Sequence, residues 1–129
     1  MSVRIVRLGS PRLPGEGLRI GTVRRPPRGV PKNQHASGDW YDVWYPELAP
    51  SAGLLRLAQQ AAGEADWRHF RTRYRAEMNM PGTRHTLALL AALSHHTDFS
   101  VGCYCADETR CHRSVLRALL LEAGADLAA

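Results

Sequence analysis

Residues 99–124 read FSVGCYCADETRCHRSVLRALLLEAG, and this stretch decides the fold. Phe99 to Tyr104 is a short, mostly apolar run of the kind that forms a buried strand. Beyond it, Val115, Leu116, Leu119, Leu120 and Ala123 recur at helical spacing, with Gly124 as the stop. Between strand and helix lie all three cysteines of the chain, Cys103, Cys105 and Cys111, within nine positions and beside His112 and Arg113. Thiol, imidazole and guanidinium therefore meet at a strand-to-helix junction. The unpaired backbone N–H groups of a helix start favour anions and thiolates at such a place.

Upstream, Val3 to Leu8 and Leu18 to Val23 are β-branched or aliphatic runs set off by Gly and Pro, and they predict two strands. Arg24 to Gly38, RRPPRGVPKNQHASG, carries three prolines and two glycines and predicts a basic loop. Asp39 to Tyr45 concentrates four of the nine aromatic residues, a cluster suited to burial or to a stacking surface. Ser51 reads as the cap of a first helix with Leu54, Leu55, Ala58, Ala61 and Ala62 on its apolar face. Asp66 reads as the cap of a second, whose stripe Trp67, Phe70, Tyr74 and Met78 belongs to a core. Pro81-Gly82 ends that helix, and Thr83 begins a third, with Leu87, Leu90, Ala91 and Ser94 on one side and His95-His96 at its end. The order β-β-loop-α-α-α-β-α predicts a compact α/β fold with a small, mainly parallel sheet flanked by helices, residues 1–129 forming one domain.

A hydrophobic content of 44% with 22% charged residues fits a soluble globular chain, and no apolar run approaches the roughly 20 residues needed to span a bilayer. With no apolar leader either, the expected location is the cytoplasm, where clustered cysteines are thiols or ligands rather than disulfides. The net charge of +5 is uneven, because residues 1–35 hold eight of the 17 basic residues and a single acid, Glu16. That asymmetry suits a phosphate-bearing ligand or a nucleic acid. A plain solvated surface in an arginine-rich chain stands beside it.

Ligands of parallel α/β folds gather outside the carboxyl ends of the strands. Arg24, Arg25 and Arg28 follow the second strand, while Cys105, Cys111, His112 and Arg113 follow the last, so parallel neighbouring strands would bring both groups to one crevice. Several chemistries fit. Cys111 is the candidate nucleophile, its thiolate favoured by the helix start and Arg113, although His112 should diverge from it by about 100° on a helix. Alternatively Arg24, Arg113 and the helix start clamp an anion, with Arg28, Cys105 and His112 as further substrate contacts and Tyr74 as a hydrogen-bond donor. A metal on Cys103, Cys105, Cys111 and His112 is disfavoured by the tight Cys-x-Cys spacing, so no metal or cofactor is assigned. Cysteines that merely pack remain the plain alternative.

Arg19-Ile20 leads to Val23-Arg24-Arg25-Pro26-Pro27-Arg28-Gly29; then come Glu47-Leu48-Ala49-Pro50-Ser51, Trp67-x-x-Phe70-x-x-x-Tyr74-x-x-Glu77, Cys103-Tyr-Cys105 and Cys111-His112-Arg113. In this order the motifs resemble domain of unknown function 488, a bacterial family that includes the YeaO-like proteins. The resemblance implies an α/β fold and a pocket made by the arginine after the second strand and the Cys-His-Arg turn, and it implies no particular reaction. Val23 stands where members often carry an acid before the strand-end arginine. The expectation is an enzyme of phosphate-bearing substrates, nucleotide or nucleic acid, or else a noncatalytic nucleic-acid-binding module. Catalysis itself and the oligomeric state are left open.

Overall fold

In the computed structural model, which describes residues 1–128, the run Phe99–Cys103 is a strand buried at every position. A central parallel strand, covered on both faces, demands such a composition. The elements are β1 (Val3–Arg7), β2 (Leu18–Gly21), β3 (Val43–Trp44), α1 (Ala52–Gln59), α2 (Glu64–Met78), α3 (Pro81–Leu93), β4 (Phe99–Cys103) and α4 (His112–Glu122). The strands form one sheet in the order β1-β4-β2-β3, and every pairing is parallel. The fold is α/β. Among the described residues no helix is long and apolar enough to cross a membrane.

Strand alternation divides the sheet into two faces. Val3, Ile5, Ile20, Phe99 and Val101 face the helices and join Trp67, Phe70, Tyr74 and Met78 of α2, Leu87 and Leu90 of α3, and Leu116 and Leu120 of α4. Each of the fully buried side chains contributes about 1.5–3 kcal/mol, and the half-buried Ile5 and Ile20 less. The opposite face is covered by loops, where Leu8, Val23 and Tyr41 with Val6 and Trp40 form a second, smaller apolar cluster beside a charged network. There Arg19, 0% exposed, gives Nε and Nη2 to the Glu16 carboxylate at 2.7 and 2.9 Å and Nη1 to the carbonyls of Ser10 and Asp39. Ser100 of β4 donates to the same carboxylate at 2.8 Å. Gly102 is needed beside this network, since a Cβ there would lie 2.7 Å from the Val6 carbonyl oxygen.

Several boundaries depart from the sequence reading. Ser51 caps α1 as expected, its Oγ accepting from Leu54 N–H, and Glu77 at the end of α2 accepts from both Ser51 N–H and Oγ. Asp66 is not the cap of α2; the helix starts at Glu64, and Asp66 accepts from Ala62 N–H from within the first turn. α3 opens at Pro81 rather than Thr83, because the missing N–H of proline is no loss at a first helical position. β2 stops at Gly21, short of Val23, and two residues of the aromatic segment, Val43 and Trp44, form an edge strand beside it. Cys111 precedes the first turn of α4 with an extended backbone, φ −134° and ψ 152°.

Candidate functional site

All strands being parallel, their carboxyl ends share one edge of the sheet, and β2 and β4 are direct neighbours there. The segments that follow them therefore converge. A cavity of about 250 Å³ opens at this edge, lined by Arg24, Arg25 and Arg110 together with Cys103, Cys105, Cys111 and His112. Leu55, Trp67 and Phe70 give it an apolar floor.

The sulfur cluster follows from local geometry. Cys103 ends β4 and is buried, Cys105 lies two residues on and is exposed, and Cys111 is buried at the start of α4. Cys103 Sγ and Cys105 Sγ are 3.8 Å apart. His112 should point away from Cys111, yet Cys111 Sγ lies 3.7 Å from His112 Nδ1. The extended backbone of Cys111 lies outside the helical repeat, so the 100° rule does not govern the pair. His112 Nε2 donates to the Thr22 carbonyl at 2.8 Å, which leaves Nδ1 with its lone pair toward the cysteines. The ring is held further by Tyr74, edge-on at 5.5 Å between centroids.

The three thiols share protons unequally. Cys103 is pushed up, first by its hydrogen bonds to Cys105 and Cys111 and then by burial. Cys105 is pulled down, chiefly by the bonds from Cys103 and Cys111 against the cost of burial, with Arg113 adding to the effect. Cys111 is also pulled down, first by the bond from Cys103.

The remaining residues singled out in the sequence divide into two groups. Arg24 borders the cavity, with Nε on the Pro50 carbonyl at 3.0 Å and Nη2 on the Ala49 carbonyl at 3.2 Å. Arg113 is 3% exposed and gives Nη2 to the Cys105 carbonyl. Among the described residues its Nε has no partner and it forms no ion pair. Arg28 does not line this cavity; it lies in a separate hollow with Arg7, Trp40 and Tyr104, the last of which borders both. Tyr74 is fully buried and donates to the Leu48 carbonyl at 2.6 Å; burial first of all pushes its phenol well up, so it keeps this proton. Arg110 and the Thr22 carbonyl were not anticipated. The only signal for Arg110 was its adjacency to Cys111, and a backbone carbonyl leaves none.

This chain belongs to the DUF488 family, for the model described as the active DUF488-N3 subclade matches residues 3–124. No curated protein and no solved structure matches it.

Proposed function

We propose that this member of the active DUF488-N3 subclade is a cysteine-dependent enzyme acting on a phosphate-bearing substrate, a nucleotide or nucleic acid, in the cleft beyond β2 and β4. The observation that carries the reading is the shared cavity, which three arginines line together with three cysteines and a histidine. Arg24 is pre-positioned by two backbone carbonyls, and among the described residues its remaining N–H groups have no partner and can meet a phosphate. Cys105 and Cys111 with His112 form the reactive wall, Arg113 holds the backbone of Cys105, and Tyr74 acts by positioning the His112 ring. The apolar floor of Trp67 and Phe70 suits the base of a nucleotide better than it suits inorganic phosphate. At about 250 Å³ the cavity is smaller than the roughly 300–1,000 Å³ of drug-sized sites, so it encloses no more than one nucleotide unit.

A second reading, a noncatalytic nucleic-acid-binding module, is favoured by one observation. The hollow holding Arg28 sets Arg7 and Arg28 around Trp40 and Tyr104, a cationic surface with aromatic edges. Thermal unfolding against a panel of nucleoside monophosphates, with oligonucleotide titration in parallel, separates the two. For the enzyme, a monophosphate at about 100 times its Kd stabilises by about 2.7 kcal/mol. Arg24→Ala abolishes that protection, and Cys111→Ser abolishes turnover while keeping it. No protection by any nucleotide, with oligonucleotide binding lost in Arg28→Ala, defeats the enzyme reading in favour of the module.

A further inference from the structure

The sulfur and imidazole atoms that wall the cleft are arranged as ligands. Cys103 Sγ, Cys111 Sγ and one ring nitrogen of His112 lie within 4.8 Å of one another, and all three residues are buried. Around a tetrahedral Zn²⁺ with Zn–S of about 2.3 Å, neighbouring sulfurs stand about 3.8 Å apart and a sulfur and an imidazole nitrogen about 3.6 Å. The observed Cys111–His112 separation is 3.7 Å, and Cys105, which is outside that group of three, has its Sγ 3.8 Å from that of Cys103. The tight Cys-x-Cys spacing is no obstacle, since one ligand ends a strand and the other two are adjacent residues at a helix start.

Two independent features support a cation here. His112 Nε2 is fixed on the Thr22 carbonyl, the outer-shell bond that metal-binding histidines make with their second nitrogen, and Nδ1 faces the sulfurs. Arg113 is a buried cation with no carboxylate in ion-pair reach among the described residues, and with Nε unpartnered. A zinc ion bound by thiolates from all three cysteines leaves one negative charge, which that guanidinium balances through its hold on Cys105.

We infer that Cys103, Cys111 and His112 Nδ1 form a Zn²⁺ site whose fourth position, toward the cleft, is taken by the exposed Cys105 or by a substrate atom that displaces it. Three protein ligands with one exchangeable position are the arrangement of catalytic rather than structural zinc. The inference goes beyond the substrate proposed for the cleft and stands on the cluster alone.

The test uses the full chain, stripped with chelator under reductant and titrated with Zn²⁺ or Co²⁺ in the absence of any phosphate compound. The expected result is a single retained equivalent of Zn²⁺. Co²⁺ is expected to give thiolate-to-cobalt charge transfer and the intense visible bands of tetrahedral geometry. Cys103→Ser and His112→Gln weaken retention by more than the roughly 10–100-fold that an outer-shell partner costs. Cys105→Ser keeps the charge-transfer band. Circular dichroism verifies that each variant is folded, and the wild-type cobalt spectrum stands even where a variant is not. A cobalt spectrum without charge transfer, no retained zinc, or a band lost in Cys105→Ser but kept in His112→Gln would overturn the site. Failure here leaves the Arg24→Ala nucleotide test untouched.

Discussion

Replacing Glu16 with Gln tests the buried network that lies under the sheet. The carboxylate accepts from Arg19 Nε and Nη2, Ser100 Oγ and Leu13 N–H, and is 2% exposed. Burial raises its pKa, but the bonds from Arg19, Ser100 and Leu13 outweigh that and hold it at about 2 against an ordinary 4.5. At about 1.4 kcal/mol per pH unit, that depression is worth about 3 kcal/mol. Because the folded pKa is the lower one, this stability is fully present above about pH 4.5 and drains away as pH falls toward 2. Glu16→Gln removes it at every pH and strands the Arg19 cation, at a cost of about 3–5 kcal/mol near neutrality. Urea unfolding followed by tryptophan fluorescence, repeated between pH 7 and pH 2.5, reads the effect. The wild-type and variant stabilities should converge as pH falls. A constant gap across that range, or a gap below about 0.5 kcal/mol at pH 7, would refute the network as the source of the depressed pKa.

Tyr74→Phe leaves the Leu48 carbonyl without its 2.6 Å donor and should cost about 1–3 kcal/mol in a denaturant melt. A neutral result would show that water or another donor reaches that carbonyl. Iodoacetamide on the metal-free chain should label the exposed Cys105 before the buried Cys103 and Cys111, as resolved by peptide mass spectrometry. Equal labelling would mean that the cluster opens faster than it reacts. If the basic segment binds a polyanion, replacing Arg24, Arg25, Arg28 and Lys32 together with Ala should flatten the dependence of log affinity on log salt by about 0.9 for each phosphate no longer neutralised. An unchanged slope would move the polyanion-binding surface elsewhere.

Regular elements were legible wherever periodicity and burial agreed. The α2 stripe of Trp67, Phe70, Tyr74 and Met78 is buried as its spacing requires, and Phe99–Cys103 is covered on both sides. β3 was illegible because two residues carry no period; Val43 and Trp44 are a strand only because Ile20 and Gly21 lie beside them. The Arg19–Glu16 pair hid in a segment of alternating character, since nothing local says that a charged residue in a strand will find a buried partner. In the cleft, the convergence of Arg24 with the cysteines followed from parallel strands, a property of topology. Arg28 lies in a separate hollow because the path of a loop rich in Pro and Gly is set by what it packs against. The closeness of Cys111 to His112 depends on one ψ angle at the helix boundary, where local pattern is weakest.

The sheet order has a consequence for synthesis. β4 lies between β1 and β2, so the two strands made first have no partner in one another until residue 99 emerges. At about 5–20 residues per second, the wait from Gly21 to Phe99 is roughly 4–16 s. The α1–α3 segment can form in that interval, but two strand edges stay open to neighbouring nascent chains. Arg4, Arg7 and Arg19 interrupt those strands with like charge, a recognised deterrent to edge pairing. Phe99–Cys103 then closes the gap, and the cysteine turn follows within the next few residues. The cysteine turn and α4 are thus the last parts of the domain to be made, after all four strands of the sheet.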